Sequence, residues 1–264
     1  MGTTVLRNRP CVRIIAGLVT LMSGVPFAVV DAQGCTTTST IVADRPGFLS
    51  GPSVLAKGSV QFESGWAMSR TSGNTAQTIG PSLLRIPLNC RAELRVASGG
   101  YVFDHAPSGA SISGMADGYL GTKLRLVRGS GLRPHLAVFA GSSIPVGGAF
   151  SHGRAEPEGD VSALWDLPKG QWVLGYLGLA SRVAGDGRES ERIAGGTWGI
   201  PLGAKAGTFV EVAEFARHDT RSRFVTTGLQ VFPFAALQVD GFVTVPVAHA
   251  GSNVAVGVGV ARRW

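Results

Sequence analysis

Charged residues are scarce in this chain. Asp, Glu, Lys and Arg make up 16% of its 264 residues, where an ordinary soluble domain carries about 25%. Long apolar runs are missing too. Beyond residue 32 no stretch approaches the roughly 20 continuous apolar residues of a spanning helix, which excludes a helical membrane protein although 44% of the chain is hydrophobic. The 3 cysteines have no partners at metal-ligand spacing. The 38 glycines are spread through the chain rather than gathered in a phosphate-cradling loop, so neither a metal nor a cofactor is expected. The net charge of +7 comes without a basic run longer than Arg262-Arg263 and without a recognition helix, which argues against a nucleic-acid partner. Gly-x-Ser-x-Gly is also absent, and with it the usual nucleophile elbow of a serine hydrolase.

What the chain has is alternation. Val254, Val256, Val258 and Val260 fall on one parity, and Asn253, Ala255, Gly257, Gly259 and Ala261 on the other. That period of two is a β-strand with one apolar and one small or polar face. Its apolar parity ends in Trp264, as the final strand of an outer-membrane barrel ends in an interfacial aromatic. This strand is the element expected to engage the barrel-assembly machinery.

The N-terminus agrees with that address. Arg7, Arg9 and Arg13 precede a mostly apolar stretch from Ile14 to Val30, and Val30-Asp31-Ala32 offers small residues at a cleavage site. Residues 1–32 therefore read as a secretory signal peptide cleaved after Ala32. Cys11 would leave with it. Cys35 and Cys90 would reach an oxidising compartment, where they can form a disulfide that pins the leading segment to the periplasmic rim; two free thiols is the alternative.

Residues 33–57 show no periodicity and read as an extended leader or small plug. From there to 264, segments of about ten alternating residues follow one another, the length of a tilted spanning strand. Val60, Phe62, Trp66 and Met68 oppose Gln61, Glu63 and Ala67; Val161, Ala163, Trp165 and Leu167 oppose Asp160, Ser162 and Asp166. Tyr101 to Met115 and Arg182 to Arg192 read as loops, and Pro233-Phe234 as a tight turn. The expected fold is all-β, an antiparallel transmembrane β-barrel of about twelve strands behind a short N-terminal plug segment. A soluble sandwich or lipocalin-like barrel also alternates. Trp66, Trp165, Trp172, Phe209, Phe224, Phe232 and Trp264 lie mostly near strand ends, which favours interfacial girdles and a membrane barrel.

Several motifs carry a family resemblance. Arg45-Pro46-Gly47-Phe48, then Lys57-Gly58-Ser59-Val60-Gln61-Phe62-Glu63-Ser64-Gly65, resembles the opening of a group of Gram-negative outer-membrane proteins labelled as transporters of the phenol-degradation pathway type. Leu84-Arg85-Ile86-Pro87-Leu88 running into Ala92-Glu93-Leu94-Arg95-Val96 matches the same pattern. So do Gly118-Tyr119-Leu120-Gly121-Thr122-Lys123-Leu124-Arg125, Ile144-Pro145-Val146-Gly147 and Val161-Ser162-Ala163-Leu164-Trp165-Asp166-Leu167. The chain departs from the pattern at Gly47, where an Asp is expected after Arg-Pro. The resemblance implies an outer-membrane barrel acting as a channel for small, including aromatic, compounds.

Arg85, Arg91, Arg95, Lys123 and Arg125 fall on the presumed lumen parity of consecutive strands. On the lipid face each would cost about 2–4 kcal/mol at the midplane, so the lumen or the rims must take them. They can form a cationic wall that attracts anionic solutes such as aromatic carboxylates. Alternatively Glu63, Glu93, Asp117 and Asp166 pair with them and fill a narrow barrel. Glu211 and Glu214 have opposite parities and cannot both face the lumen of a regular strand. Ser151-His152 and Ser108 keep open a second reading, a barrel-embedded hydrolase acting on lipid or lipopolysaccharide; a closed structural barrel is a third. The reading that follows from the address is a passive outer-membrane channel for small organic solutes, possessing no cofactor and contacting outer-membrane lipid and lipopolysaccharide.

Overall fold

The computed structural model of the chain describes residues 40–71, 73–218, 220–248 and 254–264. The expected signal peptide and Cys35 lie outside the described residues. The strands are β1 (Gln61–Thr71), β2 (Asn74–Pro87), β3 (Ala92–Ser98), β4 (Tyr101–His105), β5 (Ser111–Met115), β6 (Gly118–Val127), β7 (His135–Ile144), β8 (Pro157–Asp166), β9 (Trp172–Ala184), β10 (Gly187–Pro201), β11 (Ala206–Arg217), β12 (Thr220–Phe234), β13 (Leu237–Ala248) and β14 (Val254–Arg263). Every pairing is antiparallel, and β1 pairs with both β2 and β14, so the sheet closes on itself. The lower half of β2 pairs with β3 and its upper half with β4; likewise β3 pairs with β6 and β4 with β5. Thus β3–β4 and β5–β6 are each one interrupted strand, and the barrel has twelve staves. Among the described residues closure gives the staves partners on both sides, except that β5 at the upper rim pairs with β4 alone; a sheet closed in this way can stand in lipid.

Alternation sorts the side chains as the sequence predicts. Val254, Val258 and Val260 of β14 are exposed on the outer face, while Ala261 is fully buried on the inner one. Val210 and Val212 of β11 face outward; Phe209, Glu211 and Ala213 between them are buried inside. The inner wall is therefore polar in places, and its largest fully buried side chains include Arg85, Lys123, Gln61, Glu63, Glu93 and Glu211. The hydrophobic core also lies within the barrel. Leu49 of the leader packs with Leu174 and Ala213, flanked by Leu164, Trp172, Tyr176, Ile193 and Phe215.

Four expectations need correction. Tyr101–Met115 is a strand hairpin, not a loop. Arg182 to Arg192 is the extended end of the β9–β10 hairpin: Arg182 turns inward to Glu191 and Glu158, at 2.8 and 3.0 Å, so its charge closes inside the wall. Pro233 and Phe234 end β12 instead of forming its turn. The aromatics are also not a girdle throughout. Phe224 packs inside on Phe48, at 5.9 Å, and Trp172, Phe209 and Phe232 line an interior cavity. They fill the space beside the leader, a use that strand-end position alone does not reveal.

Both the first and the last strand begin or end at one rim, here the terminal rim. The longest hairpin loop, residues 145–156, stands at the opposite rim and identifies it as the extracellular one.

Candidate functional site: the lumen and its leader

The leader from residue 40 to residue 60 runs inside the barrel. It has no ladder of its own, so its backbone groups must find other partners, and the inner wall supplies them. Ile41 N–H donates to Ala235 C=O at 2.7 Å. Val42 C=O accepts from Gln61 Nε2 and Arg85 Nη1 at 3.1 and 3.0 Å. Phe48 and Leu49 N–H donate to the two oxygens of Glu211 at 2.7 and 3.2 Å, and Thr197 Oγ1 adds a third bond at 3.0 Å. Gly51 C=O accepts from Lys123 Nζ at 2.7 Å, Ser53 C=O from Arg85 Nη2 at 3.0 Å, and Leu55 N–H donates to Glu93 at 3.0 Å. The wall thus reads an irregular segment almost residue by residue.

Charge adds to these bonds. Arg85 makes a two-pronged contact with Glu93, at 3.0 and 3.1 Å, and reaches Glu63 at 3.4 Å. Asp44 of the leader lies between Arg95, Lys123 and Arg85, at 2.5, 3.2 and 3.8 Å. Burial alone would raise the Asp44 carboxyl, but the charges of Arg95, Lys123 and Arg85 hold it far below the usual carboxylate range. Arg45 crosses to the other side, pairing with Asp240 at 3.4 Å and donating to Val258 C=O at 3.2 Å. A Cβ at Gly259 would fall within the Arg45 guanidinium, so the small parity of β14 makes room for the leader.

Five of the residues expected in the lumen come together: Glu63, Arg85, Glu93, Arg95 and Lys123. Their three cations face three carboxylates once Asp44 is counted, so they form a neutral network and not a cationic wall. The other three stand apart because their strands have reached the terminal rim. Arg91 is exposed in the β2–β3 turn. Arg125 donates to Cys90 C=O at 2.5 Å, and Asp166 pairs with His135 at 2.8 Å. Asp117 is at the extracellular rim, accepting from Val146 and His152 N–H at 3.2 and 2.9 Å. Asp44, Arg45, Asp240 and Gln238 were not legible as site residues. Glu211 faces inward and Glu214 outward, as their parity requires. Cys90 is disulfide-bonded.

Ser151 and His152 sit in the 145–156 loop. The Ser151 hydroxyl bonds to Asp117, and His152 Nδ1 lies 3.5 Å from the same carboxylate. In a hydrolytic triad the serine bonds to the histidine; here both converge on the acid, a loop latch.

Between leader and wall, toward the terminal rim, lies a cavity of about 570 Å³. Leu49, Leu164, Trp172, Leu174 and Phe209 give it an apolar side, and Arg125, Arg128 and Arg263 bring positive charge to it.

Comparison with known proteins agrees with this architecture. Residues 43–261 match the sequence pattern of the family described as "Putative MetA-pathway of phenol degradation". The fold is similar to an outer-membrane channel from Pseudomonas putida F1, at 13% identity and a TM-score of 0.62, covering 83% of this chain and 99% of that one. The translocator domain of the autotransporter NalP from Neisseria meningitidis matches at 13% identity and a TM-score of 0.47, over 78% of this chain and 87% of that one. An anion-selective porin from Comamonas acidovorans matches at 10% identity and a TM-score of 0.41, over 78% and 98%. No curated protein matches the chain in sequence.

Proposed function

The chain belongs to the phenol-degradation family of outer-membrane barrels just described, and from that premise we propose that it is a passive channel for small organic solutes, with residues 40–60 setting its constriction. The observation that carries the proposal is the 570 Å³ cavity beside the leader. Pockets of about 300–1,000 Å³ hold small organic ligands. Its apolar side suits an aromatic ring, and Arg125 and Arg128 suit an attached carboxylate or phenolate. The cationic element of the pathway is thus this rim pair and not the Arg85 network, whose charge is already neutralised. The final strand, through Trp264, is proposed to engage the assembly machinery.

Proteoliposomes test the reading. Benzoate or phenol flux through refolded protein should exceed that of a neutral sugar of larger size, and Arg125→Ala/Arg128→Ala should lower benzoate flux severalfold while leaving phenol flux nearly unchanged. The dense anchoring of the leader supports a second reading, a barrel closed at rest. Absence of any flux from heat-modifiable, folded protein would favour it.

A further inference from the structure

A second charged group lies on the outside of the barrel, away from the lumen. On β10, β11 and β12 the outward parity carries Arg192, Ala216 and Arg221 in one row: Ala216 pairs across to Arg192 on one side and to Arg221 on the other. One step nearer the membrane centre the row is Ala194, Glu214 and Arg223. Below that the face turns apolar, with Val212, Val210 and Leu229 exposed. Arg192, Arg221 and Arg223 are themselves exposed. Arg223 Nε bonds to Glu214, and all three guanidinium groups act electrostatically on that carboxylate.

Three features make this more than a solvated rim. Cations on the lipid face are costly at midplane and tolerated only near the interface, so their place just past the apolar band puts them at headgroup level. They stand at the extracellular rim, hence in the outer leaflet. Adjacent strands are about 4.8 Å apart, so Arg192 and Arg221 flank Ala216 with about 10 Å between their backbones. The alanines leave a shallow notch that two forked guanidinium groups can close over one anion.

We propose that Arg192, Arg221 and Arg223 form a binding site for a phosphate of the outer-leaflet glycolipid, lipopolysaccharide. The phosphate would sit over Ala216 between Arg192 and Arg221, with Arg223 beneath it turned partly to Glu214. The acyl chains of the same lipid would then lie along Val212, Val210 and Leu229. A headgroup site of this kind couples charge and apolar area on one surface, as lipid recognition requires. The small side chains at positions 194 and 216 are part of the site, because a bulky residue there would lift the phosphate out of the notch.

The test uses the full refolded barrel in detergent, with native mass spectrometry reading the bound lipid. Lipid A carrying both phosphates should be retained at one copy per barrel, and the same lipid without phosphates at least tenfold less. Arg192→Gln/Arg221→Gln should lose retention about tenfold while heat-modifiability and solute flux stay as in the parent. Ala216→Leu, which keeps every charge, should weaken retention similarly and serves if the double variant fails to fold. Equal retention of the two lipids by the parent protein overturns the proposal. Full displacement by millimolar inorganic phosphate also overturns it, since the site would then be one for the free anion.

Discussion

Asp44 and Lys123 lie 3.2 Å apart across the lumen, although 79 positions separate them in the chain. The pair joins the irregular leader to the wall and makes both ionisable groups tenable inside the barrel. A buried cation without its counter-charge is far more costly than the pair is stabilising. Lys123 also holds Gly51 C=O, so one side chain fastens the leader at two points.

Asp44→Asn is therefore expected to loosen the leader rather than simply subtract a contact. Arg85, Arg95 and Lys123 would be left with two carboxylates, Glu63 and Glu93. Breaking a buried pair from one side costs about 3–5 kcal/mol, enough to populate an undocked leader. In planar bilayers the variant should conduct more than the parent protein and pass anions preferentially. An unchanged conductance from folded Asp44→Asn protein would show that the leader does not set the constriction.

The leader's second anchor depends on a missing side chain. Gly47 sits where a Cβ would stand 3.0 Å from Glu211 Cδ and closer still to its oxygen, while Glu211 holds the Phe48 and Leu49 N–H groups. Gly47→Ala should push the carboxylate off one or both amides, at about 1–3 kcal/mol for a buried donor left unpaired. Hydrogen exchange at Phe48 and Leu49 should rise about tenfold or more, with barrel amides unchanged.

The legibility of these features differed by kind. Strand alternation is a local property, so the barrel, its twelve staves and the inner placement of Glu63, Arg85, Glu93, Arg95 and Lys123 could be read from spacing alone. The leader has no period, and its partners are distant: Arg45 meets Asp240, 195 positions away. Nothing within residues 40–60 signals that. The Arg182–Arg192 stretch misled for a related reason. Its charges look solvated until Arg182, Glu191 and Arg217 are seen to close on one another inside the wall. Interior aromatics were invisible because parity near strand ends depends on exact register.

Asp117 gives an acid-dependent latch on the extracellular loop. Burial pushes its carboxyl up, but the Ser151 hydroxyl and the His152 and Val146 amides outweigh this and hold it below its ordinary value of 3.8. With the folded value depressed, the latch contributes fully above the ordinary carboxylate range and is lost as pH falls through the folded value. A nitroxide at position 149 should show the same mobility from pH 8 to pH 5 and a rising mobile fraction only below about pH 4. Asp117→Asn should give the mobile spectrum at every pH. Mobility that changes between pH 8 and 5 in the parent would show that the latch does not rest on the Asp117 carboxylate.

A disulfide holds Cys90. Cys90 lies in the β2–β3 turn, where its C=O accepts from Arg125. With Cys11 in the expected signal peptide, we propose Cys35 as its partner. Such a bridge would fix the chain shortly before Asp44 and limit how far an undocked leader could travel. Non-reduced peptide mapping should yield a Cys35–Cys90 linked fragment. Cys90→Ser should cost about 2–4 kcal/mol if the bridge acts mainly by restricting the unfolded chain. Combined with Asp44→Asn it should convert brief openings into sustained ones, because the ion-pair anchor and the covalent tether are then both gone while only the weaker bonds of the leader remain. If the double variant gates like Asp44→Asn alone, the bridge supports folding and has no part in restraining the leader.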